Sequence, residues 1–159
     1  MSPRIFTNQD GLFPKDLVRY GLDHIAAGFK LFRHPFHFDS AGYLIHIGYE
    51  CLLKGWILEL TGQFDAVHSI KVLTQQIPVL QLETLSPEFI SALTLIDDYQ
   101  HLRYPNRKEP REVGTEEMLK IKGLVDFTVS MLPDELCTTE EEAHIHKGGR
   151  LLMKKKISP

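Results

Sequence analysis

The sequence predicts an all-α fold: an antiparallel up-and-down four-helix bundle with an additional short helix. Three observations predict it. Five segments carry apolar residues at helical spacing, strand and hairpin signals are nearly absent, and moderate connections join four long or medium helices. In the first segment Val18, Leu22, Ile25, Phe29 and Phe32 step by four and three, placing them on one face of a helix from about Pro14 to Arg33. The second repeats the rule with Ile45, Gly48, Tyr49, Leu52, Trp56 and Leu60, and the small Gly48 lets another helix approach closely. With Asp39-Ser40 as its N-cap and Gly62 as its C-cap, this is expected to be the central helix. A shorter helix is expected from Ala66 to Gln76, packed across one end and stopped by Pro78. Ser86-Pro87-Glu88 starts the next, because serine caps, proline fits the first helical position and glutamate favours the N-terminal dipole. Its stripe is Phe89, Leu93, Ile96 and Gln100. Thr115-Glu116-Glu117 opens the last long helix, with Ile121, Leu124, Val125, Thr128, Met131 and Leu132 on its apolar face before Pro133.

One domain is expected from 159 residues, of which 43% are apolar, a size that folds without disulfides or a structural metal. Cys51 and Cys137 show no Cys-x-x-Cys spacing, which fits a reducing cytoplasm and argues against a zinc ribbon or redox dithiol. The first ten residues lack a basic stretch followed by an apolar block, and no run of 18 apolar residues occurs, so neither a signal peptide nor a membrane span is expected. Charge divides the chain unevenly. Residues 1–146 hold 13 basic and 21 acidic groups, a net of −8, while the remainder carries Lys147, Arg150, Lys154, Lys155 and Lys156 without an acid. Residues 1–133 are therefore expected to form the bundle and 134–159 a charged, flexible tail. A body that acidic repels polyanions generally and must hold any phosphate locally.

Phosphate-loop, dinucleotide, hydrolase-elbow and zincin motifs are absent, as are the paired Glu-x-x-His motifs of a di-iron bundle, and no cofactor or metal is predicted. His144-x-His146 lies in the charged tail and reads as exposed polar residues. Two stretches carry chemistry. His46-x-x-x-Glu50-x-x-x-Lys54 makes a polar stripe beside the apolar face of the central helix, where a group is partly desolvated; the same spacing also serves simple helix-stabilising pairing. Tyr99 to Lys108 runs from a helix end into a loop that also holds Arg111, and Pro105 biases Tyr104 away from helical angles. Arg103, Arg107 and Lys108 are candidate phosphate contacts there, and Tyr104 can stack on a base; capping of the helix by its cations is the plainer reading. The candidate polar cleft is thus His46, Glu50, Lys54, Arg103 and Tyr104.

Four signals in order resemble the HEPN (higher eukaryotes and prokaryotes nucleotide-binding) domain family. They are Ala41 to Trp56 with its His46, Glu50 and Lys54; His68-Ser-Ile-Lys-Val-Leu73, similar to the family's Thr-His-Asp-Leu-x-x-Leu; Asp97-Asp-Tyr99 to Arg103-Tyr-Pro105, similar to its Arg-Tyr-Pro helix end; and the closing amphipathic helix to Leu132. The resemblance implies a homodimeric four-helix bundle, often encoded beside a minimal nucleotidyltransferase in a toxin-antitoxin-like pair, and in many branches a metal-independent ribonuclease. The ribonuclease motif is Arg-x(4 to 6)-His. Here Lys108, Glu109 and Pro110 stand at those offsets from Arg103, so the motif histidine is missing; Arg19 to His24 matches in letters but lies in the first helix. The expected function is a nucleotide- or RNA-facing binding module. The alternatives are an endoribonuclease using His46 or His101 as base, and a purely structural interaction protein. A homodimer is also expected because Phe29, Phe32 and Trp56 exceed the apolar surface a slender bundle must bury.

Overall fold

The computed structural model describes residues 2–33, 38–98 and 114–137. They form five helices and one two-stranded antiparallel sheet. In order these are β1 (Ile5–Thr7), α1 (Pro14–Phe32), α2 (Phe38–Thr61), β2 (Gln63–Asp65), α3 (Ile70–Thr74), α4 (Pro87–Asp98) and α5 (Thr115–Met131). Short 3-10 turns at Asn8–Asp10, Pro78–Leu80 and Asp134–Leu136 complete the path. The mostly helical class agrees with the periodicity. Arg103, Tyr104, Arg107, Lys108 and His101 lie outside the described residues, as does the chain beyond Cys137.

The spine is α2. Residues 52–58 are buried without a break, two full turns enclosed on every side, so this is the central helix that its apolar spacing predicts. Helix α1 runs antiparallel along it through a seam of small residues. Pro14 lies opposite Gly55, Gly21 opposite Gly48, and Gly28 opposite Ala41, a step of seven residues on each helix. A Cβ placed on Gly48 would lie 2.5 Å from the Gly21 carbonyl oxygen, and one on Gly55 2.7 Å from that of Pro14. Backbone therefore rests on backbone, and the seven-residue period keeps the seam aligned along both helices. Val18, Leu22 and Ile25 close one side of it, with Ile45, Tyr49 and Leu52 opposite. Of the residues expected to be surplus, Trp56 is 3% exposed and Phe29 and Phe32 pack on the core, so this chain absorbs its own aromatic stripe. The apolar faces fray at their ends, where Leu60 and Met131 are exposed.

Helix α4 packs on α5, with Phe89 stacked on Phe127 at 5.0 Å between centroids. Its start follows the sequence signal: the Ser86 hydroxyl accepts from the Phe89 N–H. Gly114 precedes α5, and its N–H donates to the Glu117 carboxylate. A buried polar tie joins α2 to α5. Thr128 Oγ donates to the Leu124 carbonyl, so the Tyr49 hydroxyl, 2.8 Å away, must be the donor to Thr128. The order of donation makes the two partners unequal. Tyr49→Phe leaves Thr128 satisfied and is expected to cost at most about 1 kcal/mol, whereas Thr128→Val strands a buried phenol at about 1–3 kcal/mol. Urea unfolding of both variants checks the ranking.

Four expectations are corrected. Asp39 and Ser40 sit inside the first turn of α2, which begins at Phe38, and do not cap it. The helix expected over 66–76 is only five residues long, because the chain after Gly62 is extended. That stretch pairs with β1 in a sheet the sequence pattern does not announce, Phe6 opposite Phe64. Gly62 does end α2 as expected, at φ +79°. Finally, the packed chain continues past 133: Leu136 is buried and Cys137 packs against the core.

Candidate functional site

The helical repeat places His46, Glu50 and Lys54 one turn apart on α2, and the enclosure of α2 removes them from water: His46 is 3% and Lys54 9% exposed. Each buried polar group then needs a partner. Glu50 supplies most of them. Its Oε1 accepts from Lys54 Nζ at 2.5 Å, its Oε2 lies 3.6 Å from His46 Nε2, and His68 Nδ1 reaches both oxygens at 3.1 and 3.3 Å. His46 Nδ1 is 2.7 Å from the Ile96 carbonyl on α4. One carboxylate thus gathers three cations or potential cations and ties α2, the residues before α3, and α4 together.

Burial alone would raise the Glu50 carboxyl. The bonds from His46 and Lys54, the Lys54 charge and the bond from His68 outweigh it and hold the group at about 2 instead of its usual 4.5. The neighbouring Cys51 thiol is pushed up by its burial and by the Glu50 charge, so it is not an activated thiolate. Lys54 also stands 5.7 Å over the Phe64 ring. Phe64 stacks on Phe6, and Arg4 lies 4.3 Å over Phe6, so a cation–ring–ring–cation column links β1 to the cluster. On the other flank Asp97 of α4 accepts from the Ile70 N–H at 2.6 Å and from the Ser69 hydroxyl at 3.4 Å, fixing the start of α3 beside His68.

The structure therefore brings together the three stripe residues and does not address Arg103, Tyr104, Arg107 and Lys108, which lie outside the described residues. It adds His68 and Asp97, which stand in the His68 to Leu73 and Asp97 to Pro105 segments without a role that spacing alone could assign. It also bears on the histidine proposed as a base. His46 has one nitrogen on a carbonyl and the other on Glu50, both inside the protein, so it faces no ligand. Arg19 pairs with Asp16 at 2.9 Å and His24 with the Tyr20 carbonyl, and neither bonds to the cluster. Among the described residues no three His, Cys, Asp or Glu side chains are placed to hold a metal ion, and no helix is long and apolar enough to cross a membrane. Compared with known proteins, the chain matches no family model, and no curated protein or solved structure matches it significantly.

Proposed function

We propose that this chain is a HEPN-like helical domain, an up-and-down four-helix bundle with one short extra helix, that acts as a nucleotide- or RNA-facing binding module. On this reading it is a cytoplasmic homodimer and the partner of a minimal nucleotidyltransferase in a toxin-antitoxin-like pair. The observation that supports it is the Glu50 cluster. Its His46, Glu50 and Lys54 come from the first segment of the resemblance and its His68 from the second, and all four meet on one carboxylate. The third segment supplies Asp97, which accepts from the Ile70 N–H two residues beyond His68. Six residues beyond Asp97 in sequence comes Arg103, the start of the most basic stretch in an acidic body. A guanidinium and a tyrosine ring there suit a phosphate and a base.

Fluorescence anisotropy with a labelled single-stranded RNA and with nucleoside triphosphates tests the reading. Binding is expected to be weak and to fall with salt at a shallow slope, about −0.7 for each of three or four phosphates. Arg103→Ala is expected to abolish it, and deletion of residues 147–159 to weaken it modestly. Absence of binding to RNA and to every nucleotide rejects the module, and cleavage of the RNA in the presence of chelator replaces it with a ribonuclease.

A further inference from the structure

The glycine seam divides α1 and α2 each into two flanks. On one of them Val18, Leu22 and Ile25 meet Ile45, Tyr49 and Leu52 in the core. The other flank points away from that core. At about 100° per residue it carries Tyr20, His24, Ala27 and Leu31 on α1, in steps of four, three and four. On α2 it carries Leu44, Ile47 and Cys51, all half-buried. Tyr20 is 46% exposed, its ring 4.3 Å from that of His24. Among the described residues Leu31, Leu44 and Ile47 belong neither to the core nor to the side chains packed against it. These are not the aromatic residues that the sequence marks as surplus. They form a second, outward apolar face that crosses both of the longest helices.

Charge identifies what covers it. Asp23 and Lys30 border the α1 stripe, seven residues apart on the edge turned away from α2, and among the described residues neither is in an ion pair. A two-fold axis crossing the helices lays α1 antiparallel on a second α1. The register that sets Tyr20 on the partner's Leu31 also sets His24 on the partner's Ala27, because both pairs are centred between Ile25 and Ala26. Asp23 and Lys30 are centred one residue further on, and since each Cβ leans towards its own N-terminus they meet across the same axis. Sliding by one heptad in either direction sets Asp23 on the partner's Asp23 or Lys30 on the partner's Lys30. Across the seam Gly21 faces Gly48 and Gly28 faces Ala41, so the axis passes between Tyr43 and Leu44 and brings Leu44 beside its own copy. We propose that the outward flank of the α1–α2 pair is the face on which a second copy of this chain docks, with Asp23 of each copy paired to the partner's Lys30. The proposal rests on the proposed function for the homodimer and adds its face and register. Apolar layers hold the two copies together, and the charge pairs select the register.

Sedimentation equilibrium of the full chain at high micromolar concentration is expected to give twice the 18.2 kDa of one copy. The mass of a single copy overturns the proposal and the homodimer with it, while RNA binding by that monomer would keep the binding module. Ile47→Glu places a carboxylate in the apolar layer of both copies and is expected to leave only monomer. Asp23→Lys and Lys30→Asp each set like charges against one another twice, and each is expected to weaken the dimer about tenfold. The double variant exchanges the signs and is expected to return to within about twofold of the wild type, a recovery that a merely structural role for either residue would not give. Helical dichroism shows whether each variant is folded. If Ile47→Glu fails to fold, the charge variants decide alone, since both positions lie on the rim. Single variants that weaken the dimer without recovery in the double variant overturn the register. A dimer that none of the substitutions disturbs overturns this face and leaves the homodimer of the proposed function standing.

Discussion

Glu50→Ala is expected to cost about 3–5 kcal/mol, the loss that follows when one member of a buried ion pair is removed and the other stays behind. Lys54 is 9% exposed and has the Glu50 carboxylate as its charged partner, with the Phe64 ring 5.7 Å from its ammonium group. The same change takes the acceptor from His68 and the neighbour from His46 Nε2. Against a total stability of about 5–15 kcal/mol, the variant approaches unfolding. Denaturant midpoints measure it, and Lys54→Met added to Glu50→Ala should recover part of the loss, because an apolar side chain needs no charge partner there. A deficit below about 1 kcal/mol would mean that the cluster is hydrated. Acid gives the same information without a mutation. The Glu50 carboxyl is held at about 2 in the folded chain against 4.5 ordinarily, so the unfolded chain binds its proton first on acidification. The stabilisation from Glu50 is complete above pH 4.5 and lost progressively as the pH falls to about 2. Glu50→Gln should remove that part of the acid dependence.

Gly48→Ala is expected to destabilise by about 1–3 kcal/mol, the usual cost of forcing extra volume into a packed interior, although alanine is the better helix former by about 1 kcal/mol. The new Cβ would meet the Gly21 carbonyl oxygen at 2.5 Å and the Ile25 N at 2.9 Å. These are backbone atoms of the facing helix and cannot rotate away, so α1 and α2 must separate and loosen Ile25, Ile45 and Leu52 with them. Gly48→Leu should leave no folded protein. Gly123→Ala is the control: its nearest neighbour, Phe89 Cε1, stands at an ordinary 3.6 Å, and that variant should gain up to about 1 kcal/mol from helix propensity. Thermal melts of Gly48→Ala and Gly123→Ala against the wild type order them, Gly48→Leu is expected to show no transition, and a Gly48→Ala protein as stable as the wild type would show that the seam is not tightly closed.

The contrast explains which parts of the molecule the sequence discloses. Periodicity finds α1, α2, α4 and α5, because each buries a face against neighbours and the burial writes a 3.6-residue rhythm. Spacing also finds His46, Glu50 and Lys54, since one helix carries all three. It cannot find their partners. His68 stands 18 positions from Glu50, and nothing in either segment records that a turn through β2 brings the imidazole onto the carboxylate. The sheet escapes for a similar reason. A three-residue strand shows no alternation, and its partner is at the other end of the α1–α2 pair. The seven-residue spacing of Gly21, Gly28, Gly48 and Gly55 was open to inspection throughout, but a glycine reads as a break in a helical pattern until a second helix is known to lie against it. Only Gly48 was legible in that way.

The pairing of β1 with β2 sets an order on assembly. Ile5 must find Asp65, and Thr7 must find Gln63, across a loop that contains both of the longest helices. Closing so long a flexible loop for a few ladder bonds is entropically unfavourable. Once α1 has docked antiparallel on α2, the start of α1 and the end of α2 lie side by side, since Pro14 already faces Gly55. The remaining search is then confined to the few residues outside the two helices, and the two strands meet almost without further loss of freedom. The sheet is therefore expected to close after the helical pair, and with it the column of Arg4, Phe6 and Phe64 that stands against Lys54.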